Sequence, residues 1–193
     1  MSATPIASTM TIEFVDEVLW LPESLQQEQI LRDIAAHYPN ETGGMLLGYV
    51  NGNHRVVTAL IDAGPNAEHG SYRMLPDNVY QQVKLLEHFE NTNGRESFLG
   101  EWHSHPESAP MMSRTDRWTL HRVTIQGKHL PALPVMMIAG VDTSDQARPF
   151  RAYRRRDISR RLWPDARHFV EFSVRLYQGK TPEILNSSEA DVS

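Results

Sequence analysis

Two histidines and an aspartate in the middle of the sequence have the spacing of a metal site. His103 and His105 lie in the apolar segment 98–105, and residues two apart on a strand point to the same face. Seven residues separate His105 from Ser113, and Asp116 follows in the pattern Ser-x-x-Asp. A carboxylate in the first turn of a helix beginning near Ser113 could loop back as a third ligand. Two histidines and one carboxylate, with the fourth position open to water, are typical of a catalytic rather than a structural zinc site.

A metal site of this kind also needs a base, and Glu41 is the candidate. A bound Zn²⁺ lowers the pKa of water to about 7, and a nearby carboxylate could accept the proton and pass it to a leaving amine. Glu41 opens the glycine-rich, apolar segment 41–48, whose glycines would let the backbone run close to the metal loop. A lone carboxylate before such a strand is usually a surface residue, so geometry must decide between the two interpretations.

Taken together, these positions resemble the complete signature of the JAMM metalloproteases, also called the MPN+ or JAB family. The motif reads Glu41, then His-Ser-His-Pro at 103–106, then Ser113-x-x-Asp116. The glycine-rich segment and the tryptophan before the first histidine also look like it, so the resemblance covers residues 41–116. It implies a mixed sheet flanked by helices, in a layout like that of cytidine deaminases, and one Zn²⁺ per chain with a bound water. The roles that it implies are zinc ligation by His103, His105 and Asp116, general base and acid catalysis by Glu41, and donation to the tetrahedral oxyanion by Ser113.

The resemblance also implies a class of substrate. Members of the family hydrolyse amide bonds, typically the isopeptide bond between a ubiquitin-like C-terminus and a lysine. A chain of this size resembles the JAB peptidases of bacterial CBASS antiphage operons. Those enzymes detach a cyclic-nucleotide synthase from targets to which an E1/E2-like partner has joined its C-terminal tail. A deconjugase or processing protease of a separate bacterial ubiquitin-like system carries the same motif, and the sequence does not separate the two.

Two other classes of protein fit the motif less well. Zinc nucleoside deaminases share a related layout, but they need a Cys-x-x-Cys pair that a chain without cysteine cannot supply. The non-catalytic, DNA-repair-associated RadC group carries a similar His-x-His-Pro and Ser-x-x-Asp pattern, but it has Asn where Ser104 stands here. A pure MPN scaffold would tolerate loss of Glu41 or Asp116, so the presence of both disfavours it. The net charge of −5 also disfavours nucleic acid as a partner.

Two neighbours of the histidines are expected to support the site without touching the metal. Trp102 and Ser104 point to the face of the strand opposite His103 and His105. We expect Trp102 to pack in the core and Ser104 to form a hydrogen bond that supports the ligands. The remaining histidines, His69 among them, lack paired spacing and are interpreted as surface or otherwise satisfied histidines.

The composition indicates one folded domain in a reducing compartment. The chain has 193 residues, of which 40% are hydrophobic and 22% charged, as is typical of globular proteins. It has no cysteine, no apolar run long enough to span a membrane and no basic leader before an apolar stretch. We therefore expect no disulfides, no thiol chemistry, no membrane insertion and no secretion. We expect a cytoplasmic location.

Positive charge is concentrated towards the end of the sequence. Before residue 148 there are 9 basic and 18 acidic residues, and from residue 148 onward there are 10 basic and 6 acidic ones. The second group includes Arg154, Arg155 and Arg156. Such a surface could meet phosphates or an acidic protein, for example in recognising the substrate. It could equally be a solvated face that pairs with the acidic remainder of the chain.

Strand and helix signals alternate along the chain, which predicts an α/β or α+β fold with a mixed sheet. Strands are predicted over 11–21, 45–50, 56–61, 98–105, 135–141 and 150–153. Helices are predicted over 22–37, 76–90 and 113–125, with a further helix or arm around 162–176.

Three regions of the chain follow from this pattern. They are a flexible arm over 1–10, a catalytic domain over 11–156, and a basic C-terminal extension over 157–193 that ends in a frayed segment. Residues 107–112 could gate the site or merely connect His105 to Ser113. In the second helix, the residues expected to face the core are Val79, Val83, Leu86 and Phe89.

Overall fold

The computed structural model describes residues 17–127, 129–130, 132–140, 150–158 and 166–179. The predicted N-terminal arm, the first residues of the strand predicted over 11–21 and the frayed end lie outside the described residues. Within them, the order of strands and helices confirms a mixed α+β fold.

One large mixed sheet forms the centre of the fold. The strands are β1 (Val18–Pro22), β2 (Gly43–Asn51), β3 (His54–Ile61), β4 (Glu68–Gly70), β5 (Arg73–Leu75), β6 (Ser97–His105), β7 (Val135–Gly140), β8 (Phe150–Arg155) and β9 (Phe169–Tyr177). Seven of them form the sheet in the order β1-β3-β2-β6-β7-β8-β9, which closes because β9 also pairs with β1. The pairs β1–β3, β1–β9 and β6–β7 are parallel, and the other pairs are antiparallel. Strands β4 and β5 form a separate hairpin.

Three helical segments accompany the sheet. They are α1, which runs through Glu23–Leu25, a π-helical turn Gln26–Ile30 and Leu31–His37, then α2 (Asn78–Asn91) and α3 (Arg114–Gln126). Each lies within two residues of its predicted bounds. The helix ends follow local signals, because Pro39 stands just beyond α1 and the Asp77 carboxylate caps α2 by accepting from the Tyr80 amide at 3.1 Å.

The helix or arm predicted around 162–176 is wrong over its described part. Residues Ala166–His168 form one 3₁₀ turn, and β9 follows directly. The segment 170–176 alternates apolar and polar residues, which is the period of a half-buried strand. β9 lies beyond the boundary predicted at residue 156, yet it is hydrogen-bonded into the main sheet between β8 and β1. The division of the chain into regions stays a prediction.

The face of α2 predicted to point inward is also wrong. Val79 is 75% exposed, and the three other apolar residues of that stripe are exposed as well: Val83, Leu86 and Phe89. Gln81 is buried instead, and its side-chain amide donates to the Asp62 carbonyl at 2.8 Å. Gln81 therefore lies on the buried face of the helix, and its hydrogen bond to the Asp62 carbonyl satisfies the polar group there.

The main apolar core draws on the central strands and on α1. Its buried members include Leu19, Leu46, Val57, Met137, Ala152, Phe172 and Ile30. Trp102 joins this cluster at 2% exposure, which confirms that it packs in the core. Among the described helices, none is both long enough and apolar enough to cross a membrane.

Two of the C-terminal arginines are partly or fully buried in the fold. The Arg154 Nε donates to a Glu17 carboxylate oxygen at 2.7 Å, and Arg155 is fully buried. The Arg55 guanidinium stacks over the Phe172 ring, 4.6 Å from its centroid. The pairing of Arg154 with Glu17 favours the interpretation in which the basic part of the chain pairs with its acidic part, whereas Arg155 is 3.5 Å from Asp157 in the same part of the chain.

Candidate metal centre and catalytic site

The two motif histidines stand at the C-terminal end of β6, on the same face. This strand is paired on both sides, with β2 antiparallel and with β7 parallel, so its end is fixed within the sheet. The Nε2 atoms of His103 and His105 are 3.1 Å apart. The His105 Nδ1 donates to the Ala109 carbonyl at 3.3 Å, which leaves the Nε2 lone pair free for a ligand.

A capping box at the start of α3 brings Asp116 to the histidines. The Ser113 amide donates to Asp116 Oδ2 at 2.6 Å, and the Asp116 amide donates to Ser113 Oγ at 3.1 Å. These reciprocal bonds fix the first turn of the helix and aim the carboxylate. Asp116 Oδ1 lies 3.3 Å from the His103 Nε2, and Asp116 Oδ2 lies 3.5 Å from the His105 Nε2.

These three side chains could hold a metal ion. Their ligand atoms all lie within 4.8 Å of one another. Ligands about 2.0–2.2 Å from a tetrahedral zinc would be about 3.3–3.6 Å from each other. The observed separations of 3.1–3.5 Å are close to that spacing, with the two histidines facing different oxygens of Asp116. Among the residues that the structure describes, no fourth His, Cys, Asp or Glu joins the cluster. The donor set therefore fits an open, catalytic type of site.

Glu41 lies near this cluster, two residues before the start of β2, and feels the charges of all three candidate ligands. Its neighbour Thr42 is hydrogen-bonded to Ser104, which stands between the two histidines. At Gly43 a Cβ would collide with the Trp102 carbonyl oxygen, so glycine permits this close approach of β2 to the metal strand. Residue 43 is thus a position where glycine lets the backbone run close to the metal loop, as predicted.

The comparison of the sequence with known families agrees with this geometry. Residues 23–156 match the family described as prokaryotic homologs of the JAB domain. The chain belongs to this family. The matched range includes all five motif positions. This JAB chain is a metalloprotease of the hydrolase class, as the resemblance implied.

Three relatives of this JAB chain carry names that agree. The probable metalloprotease y4qB of Sinorhizobium fredii is 30% identical over 124 residues, which is 63% of this chain and 75% of that protein. The CD-NTase/cGAS isopeptidase of Vibrio cholerae is 33% identical over 51% of this chain and 64% of its own length. The protein of the same name from Escherichia coli is 35% identical over 42% and 52%. The matched region therefore spans less than two thirds of these two isopeptidases.

One solved structure shares the fold of this JAB chain. Protein DSY2949 from Desulfitobacterium hafniense superposes with a TM-score of 0.51 over 84% of this chain and 94% of that one. The two sequences are 16% identical.

The electrostatics of the JAB site separate its two carboxylates. Burial alone would raise the pKa of Asp116, but hydrogen bonds from His103 and His105 and from Ser113 outweigh it and hold that pKa well below its usual value. Burial raises the pKa of Glu41, although the nearby His103 and His105 act to lower it. Asp116 is thus suited to remain an anionic ligand, and Glu41 to exchange a proton.

The pKa of His105 is also shifted by its neighbours in the site. Burial acts to lower the pKa of His105, but the hydrogen bond and the negative charge of Asp116 prevail and raise it. In the absence of a cation, the ring and the carboxylate therefore form a mutually stabilising pair.

One partly buried acid near the JAB site is not predicted by the sequence motif. Glu101 lies two residues before His103 on β6, on the same face. Burial raises the pKa of Glu101, while the charges of His103 and Arg122 act to lower it. The alternation Glu-x-His-x-His in residues 101–105 was the signal that could have identified it.

The segment 107–112 is held to the body of the JAB domain by several contacts. The Tyr38 hydroxyl donates to Glu107 at 3.2 Å, and the Tyr153 hydroxyl donates to the Pro110 carbonyl at 3.2 Å. The His105 ring bonds the carbonyl of Ala109, as described above. These contacts favour a connecting role for the segment.

Proposed function

We propose that this chain is a zinc-dependent isopeptidase. It hydrolyses the amide bond that joins the C-terminal tail of a CD-NTase or of a ubiquitin-like protein to a target. The observation that carries the proposal is the convergence of His103, His105 and Asp116 on one point beside Glu41. The relatives named CD-NTase/cGAS isopeptidase support the CD-NTase as the first substrate to test.

His103 and His105 would hold the metal through their Nε2 atoms, and Asp116 through its carboxylate. A metal so bound polarises a carbonyl and makes water more acidic at neutral pH. The fixed tautomer of His105 and the capped first turn of α3 mean that these ligands need little rearrangement on binding.

In the proposed reaction, Glu41 moves the proton. A Glu41 carboxylate oxygen accepts a proton from the attacking water, whose oxygen bonds to the scissile carbonyl carbon. The C–N bond then breaks, and Glu41 delivers the proton to the departing lysine amine. The products are a free amine and the carboxylic acid of the tail, which keeps the second proton of the water until it ionises to the carboxylate at neutral pH. Burial, which raises the pKa of Glu41, makes this residue a better base than an exposed carboxylate.

Ser113 would stabilise the tetrahedral oxyanion. Its Oγ accepts a hydrogen bond from the Asp116 amide, so the hydroxyl proton of Ser113 is available to donate. Pre-oriented donors of this kind act on the charge that develops in the transition state. The cap geometry that fixes Asp116 therefore also aims the Ser113 hydroxyl.

The test is cleavage of defined conjugates followed by mass spectrometry. A CD-NTase tail and a ubiquitin-like tail are each joined to a lysine-containing peptide, and the enzyme is wild type, Glu41→Gln, or wild type with chelator. We expect wild type alone to cut directly after the last residue of one tail. The Glu41→Gln protein should contain as much zinc as wild type.

Three results would argue against parts of this proposal. If Glu41→Gln cuts as fast as wild type, Glu41 is not the base. If wild type contains zinc but cuts neither tail, the substrate class is wrong. If purified protein takes up no metal and cuts nothing, a non-catalytic scaffold is the better description. Preference for the ubiquitin-like tail would instead assign the chain to a separate ubiquitin-like system.

A further inference from the structure

The backbone of Glu41 is held by the hairpin β4–β5, in a region outside the sequence motif. The Glu41 amide donates to the Gly70 carbonyl at 2.9 Å, and the His69 Nδ1 lies 3.0 Å from the Glu41 carbonyl oxygen. A carbonyl oxygen can only accept, so the Nδ1 of His69 carries the proton. Two successive residues of β4 thus bind both polar groups of the Glu41 main chain.

His69 is itself held by a second histidine. Its ring stacks on His37 with centroids 3.8 Å apart and planes inclined by 19°. The His37 Nδ1 donates to the Asp33 carbonyl at 2.9 Å and lies 3.2 Å from the Asp33 carboxylate. That carboxylate accepts from the Thr42 hydroxyl at 2.6 Å. These contacts run from the Glu41 carbonyl through His69, His37 and Asp33 to the Thr42 hydroxyl, so they link both residues of the Glu41–Thr42 peptide unit.

We propose that His69 is a positioning residue for the general base. By donating to the Glu41 carbonyl, it fixes the direction in which the Glu41 side chain leaves the backbone. Glu41 lies outside the strand ladder, because the register of β2 with β6 begins at Gly43. Its carbonyl therefore lacks the ladder bond that would otherwise orient it. The inference rests on the proposed function, since it assigns Glu41 the role of base.

Small displacements of a general base have large effects on rate. Proton transfer requires the base to lie within hydrogen-bond reach of the proton that it takes, and a misplacement of about 1 Å can cost about 10²-fold in rate. Loss of the His69 bond should therefore lower kcat and leave KM almost unchanged, because His69 is not proposed to touch the substrate. The pH dependence of kcat should keep its shape, since an imidazole can donate from Nδ1 whether neutral or protonated.

Two substitutions at position 69 separate the hydrogen bond from the stack. His69→Phe keeps a ring against His37 but has no donor. His69→Asn loses the ring, but its amide nitrogen stands one bond from Cγ, as Nδ1 does, and can still donate to the Glu41 carbonyl. The exposed His129 provides the matched control His129→Phe.

We expect His69→Phe to lower kcat by about 10–100-fold, with zinc content and KM unchanged. His69→Asn should remain within a few-fold of wild type, and His129→Phe should equal wild type. Equal losses in His69→Phe and His69→Asn would overturn the proposal in favour of the stack alone. A wild-type kcat in His69→Phe would overturn it outright. If His69→Phe does not fold, a loss of more than about ten-fold in His69→Asn overturns it.

A second readout does not depend on hydrolysis. In NMR spectra of the isotope-labelled protein, the carbonyl carbon of Glu41 should shift in His69→Phe and stay close to its wild-type position in His69→Asn. An unchanged Glu41 carbonyl resonance in His69→Phe would contradict the proposed hydrogen bond between His69 and Glu41. If wild type cuts no conjugate while these shifts occur, the proposed substrate is wrong and the positioning contact stands.

Discussion

The side-chain oxygen of Ser104 accepts a hydrogen bond from the backbone amide of Thr42 at 3.0 Å, and the Ser104 amide donates to the Thr42 carbonyl at 2.8 Å. Both residues are buried. Ser104 stands between the two histidines, and Thr42 directly follows Glu41. This pair therefore ties the strand that carries the candidate ligands to the segment that carries the candidate base.

Replacing Ser104 by alanine should weaken both the fold and the reaction. The Thr42 amide would lose its acceptor in a buried position, so the free energy of unfolding should fall by about 1–3 kcal/mol. We expect kcat to fall as well, while zinc content stays at the wild-type level. Urea unfolding, metal analysis and kcat on one preparation check this. Ser104→Thr keeps the hydroxyl and is the control; equal losses in both variants would contradict a role for the hydroxyl.

Substitutions of Ser113 should separate capping from catalysis. Ser113→Ala loses the N-cap, which costs about 1 kcal/mol, and the oxyanion donor, which costs about 10²–10³ in kcat. Ser113→Asp retains a good N-cap but cannot donate when ionised, so stability should be kept and kcat lost. Thermal unfolding and kcat of both variants test this. Normal turnover in Ser113→Asp would show that the hydroxyl does not donate to the oxyanion.

Metal binding should be visible as added stability. A ligand that binds only the folded state at 100 times its Kd stabilises that state by about 2.7 kcal/mol. Titrating zinc into metal-free protein should therefore raise the Tm of wild type and of Glu41→Gln alike. His105→Ala and Asp116→Ala should show little or no rise. Calorimetry measures the effect, and an equal rise in Asp116→Ala would remove Asp116 from the ligand set.

Local sequence signals were sufficient to predict that the three candidate ligands lie close together. The period of a strand places His103 and His105 on one face, and the Ser-x-x-Asp pattern caps a helix whose first turn holds Asp116. Each of these directions is determined within a few residues. The contact between His69 and Glu41, by contrast, joins residues 28 positions apart. It depends on how the hairpin β4–β5 packs, and no local pattern of residues predicts that packing.

The errors in the fold prediction have physical causes of the same kind. The alternation in 170–176 predicts a strand but not its position in the sheet. That position follows from β1 and β8, because β9 pairs with both of them. In α2 the apolar spacing predicts a helix without determining its rotation. In the structure Gln81, rather than the apolar stripe, lies on the buried face of this helix.

The rotation of α2 can be tested by stability measurements. Val79 is exposed, so Val79→Ser should change the free energy of unfolding by no more than about 0.5 kcal/mol. Gln81→Ala removes a buried bond to the Asp62 carbonyl and should cost about 1 kcal/mol or more. Urea unfolding of the two variants checks the prediction. A larger loss in Val79→Ser than in Gln81→Ala would restore the face expected from the sequence.

The ion pair between Glu17 and Arg154 should make stability depend on pH. The hydrogen bond from Arg154 lowers the pKa of Glu17 below its ordinary value of 4.5; burial opposes this effect, and the charges of Arg154 and Arg55 add to it. Because the folded pKa is the lower one, the unfolded chain binds the proton more readily as the pH falls. The stability contributed by Glu17 is therefore present above about pH 4.5 and is lost as the pH falls through the folded pKa.

Glu17→Gln should thus be less stable than wild type at neutral pH, and the difference should shrink as the pH is lowered below about 4.5. Urea unfolding at a series of pH values measures it. The matched control is Glu171→Gln, because the Glu171 carboxylate lies 3.8 Å from Arg151 in an exposed position and surface pairs contribute little. A gap between Glu17→Gln and wild type that stays constant down to low pH would mean that packing around residue 17, rather than its charge, stabilises this end of the sheet.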